Sequence, residues 1–209
     1  MAVVELEVSF PHQDPPPHIA EFLDEANSRV DEVLQHVRVR QASFVPSDFH
    51  AVYDALCVIV DSSLAPGHVF CEWGSGVGVV ACLAALMEFD ACGIEIQDHL
   101  VEASRELADE FELDVEFITG SFVPHGGQSR VDENFEHDAH WIDGEADNSY
   151  EELGIAPEEF DIFFAYPWPG EEHVISELFD FCAADGALLV MYTAMDGVRI
   201  QRKVSDRAD

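Results

Sequence analysis

The chain has 209 residues, 48% of them hydrophobic, with 43 acidic against 9 basic side chains and a formal net charge of −34. That length and apolar content suffice for a single domain whose core needs neither disulfides nor a structural metal. The charge repels nucleic-acid phosphates, which are normally held by several Lys or Arg contacts, and attracts cations, amines or basic proteins; the same acidity also serves solubility.

Cys57, Cys71, Cys82, Cys92 and Cys182 all sit inside apolar runs without a C-x-x-C pair. They are expected as buried, reduced thiols of a cytoplasmic protein. The opening Met-Ala-Val-Val-Glu-Leu lacks the basic start and apolar core of a signal peptide. Nowhere do about eighteen apolar residues run together, so no membrane span is expected.

Residues 3–10 alternate, with Val4, Leu6, Val8 and Phe10 against Glu5, Glu7 and Ser9, which predicts a half-buried strand. Pro11 and Pro15-Pro16-Pro17 end it in a stiff connector. From His18 to about Val37, Ile19, Phe22, Leu23, Ala26, Val30, Val33 and Leu34 recur at helical spacing, an amphipathic helix suited to covering a sheet edge. Ser47 or Asp48 then caps a second helix through Phe49, Val52, Tyr53, Leu56 and Ile59.

The centre of the chain is His68–Glu95. Val69-Phe70-Cys71 has strand character; Glu72 follows, then glycines at alternate positions, Gly74, Gly76 and Gly78. An apolar segment of helical length leads to a second run, Ala91-Cys92-Gly93-Ile94, which ends in Glu95. Strand, glycine turn, helix, strand and acid make one βαβ unit of the kind that holds a nucleotide-like ligand. A G-x-G-x-x-G dinucleotide fingerprint would need glycine where Val79 stands, and Glu72 also disfavours NAD. Glycines let the backbone approach a ligand closely. An ionised carboxylate accepts charge-assisted hydrogen bonds worth roughly 1.5–3 kcal/mol.

This pattern, Glu72 followed by Gly74-Ser75-Gly76-Val77-Gly78, resembles motif I of class I S-adenosylmethionine (SAM) methyltransferases, and Glu95 matches the acid at the end of their second strand. With Gly93-Ile94-Glu95-Ile96-Gln97 and Leu100-Val101-Glu102-Ala103-Ser104-Arg105, it is similar to class I lysine methyltransferases of the non-SET type and small bacterial relatives, over roughly residues 44–123. The resemblance implies an α/β, Rossmann-like doubly wound sheet, mostly parallel, with helices on both faces and an abbreviated C-terminal hairpin. A SAM-binding domain at 44–209 would follow an N-terminal strand-and-helix extension at 1–43. The implied cofactor is S-adenosyl-L-methionine, held by Glu72, Gly74, Ser75, Gly76, Gly78, Glu95, Ile96, Ser121 and Phe122. In that scheme Glu72 serves the donor's ammonium, Glu95 the ribose hydroxyls, and Ser121 the adenine, where many family members carry an acid. Phe44 and Tyr53, ahead of the motif, are lid candidates.

Further on, Asp98 is positioned to cap a helix through Leu100, Val101, Ser104, Leu107 and Phe111, and Asp114–Thr119 reads as a strand. Residues 124–155 form a long acidic insertion, expected as a solvated loop, a substrate lid or a partner surface. His137 and His140 within it make a loose metal pattern that no second cluster completes, so no metal is expected. Phe160–Ala165 is the next parallel strand and runs into Tyr166-Pro167-Trp168-Pro169-Gly170-Glu171-Glu172. Strand carboxyl ends carry the ligand crevice of a doubly wound sheet, so this turn should face the transferred methyl group. It sits where nucleobase amino-methyltransferases carry Asp/Asn-Pro-Pro-aromatic, but Tyr166 replaces the acceptor side chain. A helix from Glu172 to about Cys182, a strand at Ala187–Tyr192 and an antiparallel edge strand at Val198–Val204 complete the alternation.

The expected activity is methyl transfer to an amine or a basic protein side chain, with neither nucleic acid nor membrane as partner. Tyr166 and Trp168 would hold the arriving ammonium by cation–π contact, and Tyr166 or His173 would relay its proton. A small-molecule O- or N-methyltransferase and a non-catalytic SAM-binding scaffold are the alternatives. The oligomeric state has no signature in the sequence.

Overall fold

In the computed structural model of the chain, residues 2–37, 45–134, 142 and 148–205 are described. A seven-stranded sheet runs in the spatial order β1 (Ala2–Glu5), β7 (Gly197–Val204), β6 (Leu188–Thr193), β5 (Ile162–Ala165), β2 (Val69–Trp73), β3 (Asp90–Glu95), β4 (Glu116–Thr119). The five strands from β4 to β6 are mutually parallel. β7 returns antiparallel to β6, and β1 pairs antiparallel with β7, so β1 again runs with the central strands.

The central strands are apolar at nearly every position because both faces are covered, as parallel strands require. Side chains alternate between two cores. Phe70, Ile162, Phe164, Leu188 and Val190 face α1 (Pro17–Val37), α2 (Phe49–Asp61), α3 (Val79–Leu86) and α4 (Asp98–Glu110). Cys71, Trp73, Phe163, Leu189 and Met191 face the other core, with α5 (Gln128–Asn134), α6 (Ser149–Leu153) and α7 (Glu172–Cys182). Each fully buried Phe or Leu in these layers contributes roughly 1.5–3 kcal/mol relative to exposure. This is a Rossmann-like, doubly wound α/β sheet, and β1 and α1 belong to the same sheet and core as the rest.

Several local expectations shift. The first strand stops at Glu5 rather than Phe10, although Leu6 N–H still donates to Ile200 O at 2.8 Å. Val4 consequently lies 40% exposed at the edge, while Leu6 and Phe10 pack on the α1–α4 core. Asp48 caps α2 as expected, accepting from His50 and Ala51 N–H at 3.1 Å. α4 is instead entered from Gln97, with Asp98 in its first turn, where a negative charge suits the helix dipole. The acidic insertion carries α5 and α6, anchored by buried Val131, Tyr150 and Leu153 and by the Tyr150 hydroxyl donating to Phe122 O at 2.7 Å. His137, His140 and Phe44 lie outside the described residues. β7 pairs antiparallel with β6 as expected, and the N-terminal strand β1 takes its outer side.

Lys203, the only lysine, is 1% exposed on β7. Its Nζ donates to the Asp180 carbonyl of α7 and lies 3.7 Å from the Asp180 carboxylate, tying strand to helix. Among the described residues, no helix is long and apolar enough to cross a membrane.

Candidate functional site

The chain passes from β2 to β3 on one side, while β5 pairs on the other side of β2. This is a topological switch point, where an open α/β sheet leaves a crevice beyond its strand ends. A cavity of about 540 Å³ occupies it. The ends of β2, β3, β4 and β5 supply most of its wall, with Val45–Phe49 ahead of α2 closing another side.

The glycine turn builds the β2–β3 wall. Gly74 and Ser75 N–H both donate to Ile94 O, at 2.9 and 3.0 Å, and Gly78 N–H donates to Ser75 O at 2.8 Å. α3 therefore starts on Gly78, which has no side chain to cap it. Glu72, from the preceding strand, supplies the missing oxygen: its Oε2 accepts from Ala81 N–H at 2.8 Å. An acid two residues ahead of the glycines thus has a structural task besides any ligand. Burial raises the Glu72 carboxyl well above the usual carboxylate range, the Ala81 hydrogen bond partly opposes this, and the charge of Glu95 adds to it. Burial thus disfavours the ionised form, and a cation entering the cavity would favour it.

Glu95 closes the turn from β3. Its Oε2 accepts from Gly76 N–H at 3.0 Å and its Oε1 from Gln97 N–H at 2.9 Å, leaving further lone pairs on each oxygen. The glycines divide their work. A Cβ on Gly78 would come within 2.5 Å of the Phe117 ring and 2.7 Å of Ser104 Cβ, so Gly78 is dictated by packing. A Cβ on Gly74 would meet no protein atom within 4 Å, and Gly74 lines the cavity.

On the β5 side, Tyr166, Pro167, Trp168, Pro169 and Glu171 line the cavity. Tyr166 packs edge-on against Tyr192, centroids 4.9 Å apart, and burial, then Tyr192, raises its hydroxyl above the ordinary phenol range. At neutral pH it is a donor, not a base. Trp73 stacks on Phe122 at 5.3 Å and 13°, forming an aromatic floor between the two sides. Among the described residues, the wall carries three carboxylates, Glu72, Glu95 and Glu171, and no Lys, Arg or His.

Of the residues singled out from sequence, Glu72, Gly74, Ser75, Glu95, Ile96, Ser121, Phe122, Tyr166 and Trp168 come together on this wall. Gly76 and Gly78 lie in the turn but not on the wall, and His173 is exposed on α7 away from it. Tyr53 is buried in the α1–α4 core rather than over the cavity. Ser121 is buried, with its Oγ accepting from Val123 N–H at 3.2 Å. Sequence reasoning missed Trp73, Gln97, Glu171 and Ile142. For Glu171 a signal existed: Pro169-Gly170 announces a tight turn that brings positions 168 and 171 together.

No family model matches the chain, and no characterised protein matches it in sequence. Solved structures do. An RNA methyltransferase from Salinibacter ruber, in complex with S-adenosyl-L-homocysteine, superposes with a TM-score of 0.51 at 18% identity, over 79% of this chain and 97% of that one. The tRNA (uracil-54, C5)-methyltransferase of Pyrococcus abyssi, also with S-adenosyl-L-homocysteine, gives 0.43 at 15% identity, over 73% of this chain and 30% of that one. The CcbJ methyltransferase of Streptomyces caelestis gives 0.42 at 18%, over 68% and 50%. The chain thus spans half or less of the latter two proteins. By its strand order, its switch-point cavity and its superposition on the Salinibacter structure, the chain has the Rossmann-like α/β fold of that methyltransferase.

Proposed function

We propose that the chain is a SAM-dependent methyltransferase of class I whose acceptor is an amine. The observation that carries the donor assignment is the pairing of Glu72 and Glu95 on one cavity wall beside an open Gly74. The residues fit the donor. Glu72 offers a buried carboxyl that ionises when a cation arrives. Glu95, fixed by two backbone N–H groups, presents lone pairs to a ribose diol. Val45 and Ile96, 46% and 47% exposed, leave apolar surface uncovered on the wall, which a planar base would bury.

SAM, when bound, supplies an electrophilic methyl group on a sulfonium, and its transfer is an in-line displacement that depends on alignment and on a free lone pair. The chain's own part is to bind, align and exclude water. An alkylamine with the reference pKa of lysine needs about 4–5 kcal/mol to shed its proton near pH 7. The aromatic and proline wall at Tyr166–Pro169 is suited to lowering that cost by stripping water from the ammonium. A nucleic-acid acceptor is disfavoured by the charge of −34 and by a wall without basic groups among the described residues.

Calorimetry tests the donor assignment. S-adenosylhomocysteine is expected to bind, and Glu95→Ala to weaken it roughly tenfold or more. Binding of NADH in its place would overturn the assignment.

A further inference from the structure

We propose that the half of the cavity on the α5–α7 face of the sheet is the acceptor subsite, that it takes a flat aromatic ring, and that Ala165 sets its size. The acceptor is then a small arylalkylamine rather than a lysine side chain of a protein. The inference rests on the donor lying in the other half, against Glu72 and Glu95.

Successive side chains of a strand point to opposite faces of the sheet, and this parity divides the cavity. Glu72 and Glu95 both emerge on the α1–α4 face. Glu72 accepts from Ala81 N–H of α3, and Glu95 stands two residues beyond Gly93, where an added Cβ would meet Phe117 of that core. Trp73 and Ala165 have the opposite parity and belong to the second core, together with Ile142 of the insertion and Ile175 of α7. These four also line the cavity, with Phe122 stacked on Trp73. The crevice therefore opens into both faces: two acids and the glycine turn mark one half, and five uncharged, mainly apolar side chains mark the other.

The register of the strands places the opening of that second half. Ile94, Trp73, Ala165 and Met191 stand side by side near the carboxyl ends of β3, β2, β5 and β6, and all four belong to the second core. Three of them are large and Ala165 is not. The middle two line the cavity and the outer two do not, so the recess opens where the row is shallowest, beside the indole. Neighbouring strands are roughly 4.8 Å apart, so the opening is about one side chain wide. A flat ring enters such a slot more readily than a branched chain, and Trp73 offers it an aromatic neighbour.

Burial decides which end of the acceptor goes in first. Trp73, Ile142, Ala165 and Ile175 are between 1% and 4% exposed, so the deep end of the recess is nearly closed to water. A charge pressed in there would lose its hydration against apolar walls, at high cost. The apolar end of the acceptor therefore enters, and its amine stays at the mouth, beside the Tyr166–Pro169 wall that follows Ala165 directly. A lysine side chain arrives ammonium first with its protein behind it, which is the wrong way round; an arylalkylamine arrives ring first. In the transfer the free amine nitrogen forms its bond to the methyl carbon as the S–C bond of the sulfonium breaks, and the positive charge passes from sulfur to nitrogen.

The experiment titrates the full-length protein, saturated with S-adenosylhomocysteine, with phenethylamine and n-butylamine by calorimetry. Both ligands carry one positive charge at neutral pH, so attraction to the acidic surface cancels between them. Phenethylamine is expected to bind roughly tenfold or more tightly. Ala165→Leu fills the recess and should reduce that preference to about twofold or less, while S-adenosylhomocysteine binding stays within about twofold. Ile142→Ala widens the recess and should raise the affinity for naphthylethylamine, relative to phenethylamine, by roughly fivefold or more; this variant decides the matter if Ala165→Leu does not fold. Equal binding of the two amines by the unmodified protein would overturn the subsite. So would a preference that survives Ala165→Leu, an absent naphthyl gain in Ile142→Ala, or displacement of phenethylamine by S-adenosylhomocysteine, which would give the recess to the donor. If S-adenosylhomocysteine itself fails to bind, the donor assignment falls, and with it the inference in its stated form; if it binds and the ring preference is absent, only the subsite falls.

Discussion

On the β2–β3 side of the cavity the chain presents a glycine turn, mainly apolar neighbours and two acids; on the β5–α7 side it presents rings, prolines and one acid. The first wall is crowded from behind. Its turn is pinned to Ile94, its Gly78 is wedged against Phe117 and Ser104, and its acid Glu72 caps a helix. The second wall is built on the turn from Trp168 to Glu171, with Tyr166 packed edge-on against Tyr192. Where close approach of chain segments sets the residues, a recognisable pattern results. Where a turn sets the corner, the spacing of its two ends is fixed but their identity is not.

Substitutions in the glycine turn test this contrast most severely. Gly78→Ala combines a left-handed residue, φ 71°, with contacts at 2.5 Å, and should cost about 3 kcal/mol or more of stability in a denaturant melt. Gly74→Ala meets no protein atom, and should cost only about 1–2 kcal/mol while lowering S-adenosylhomocysteine affinity by roughly tenfold. If both variants merely destabilise, the turn is scaffold and the cavity wall lies elsewhere.

Glu72 gives the next effect. Its carboxyl is raised by burial, so the folded protein without ligand keeps a proton there to higher pH than the unfolded chain does. Stability from this group is present below the unfolded carboxylate range and fades as pH rises through the raised value. An ammonium entering the cavity reverses the preference. S-adenosylhomocysteine binding, compared calorimetrically in two buffers of different ionisation enthalpy, should release up to about one proton near neutral pH, and Glu72→Gln should abolish the release. Proton uptake instead would place the donor's ammonium away from Glu72. The smallest effect is expected at His173: being exposed and off the wall, His173→Ala should leave turnover within about twofold. A large loss would mean that α7 moves during the reaction.

Much of the fold was legible because both faces of the central strands are covered and the amphipathic helices repeat at helical period, as α1 and α4 do. α5 and α6 were not, since seven and five polar-rich residues are too few to reveal a period. The early end of β1 depends on how far its pairing with β7 runs, which no local pattern records. At the site, Glu72 and Glu95 were legible through their spacing to the glycines, whereas the helix-capping role of Glu72 emerges only when β2 and α3 are brought together. Glu171 and Glu172 look alike in sequence; the phase of one turn sends the first to the cavity and ties the second to the backbone.

The burial of Lys203 has a practical meaning of its own. With its only ε-amine sealed between β7 and α7, the folded chain offers no side-chain lysine to modify itself or to react with an acylating reagent. Labelling of Lys203 can occur only when β7 and α7 part, so its rate is a clock for the opening of that side of the sheet.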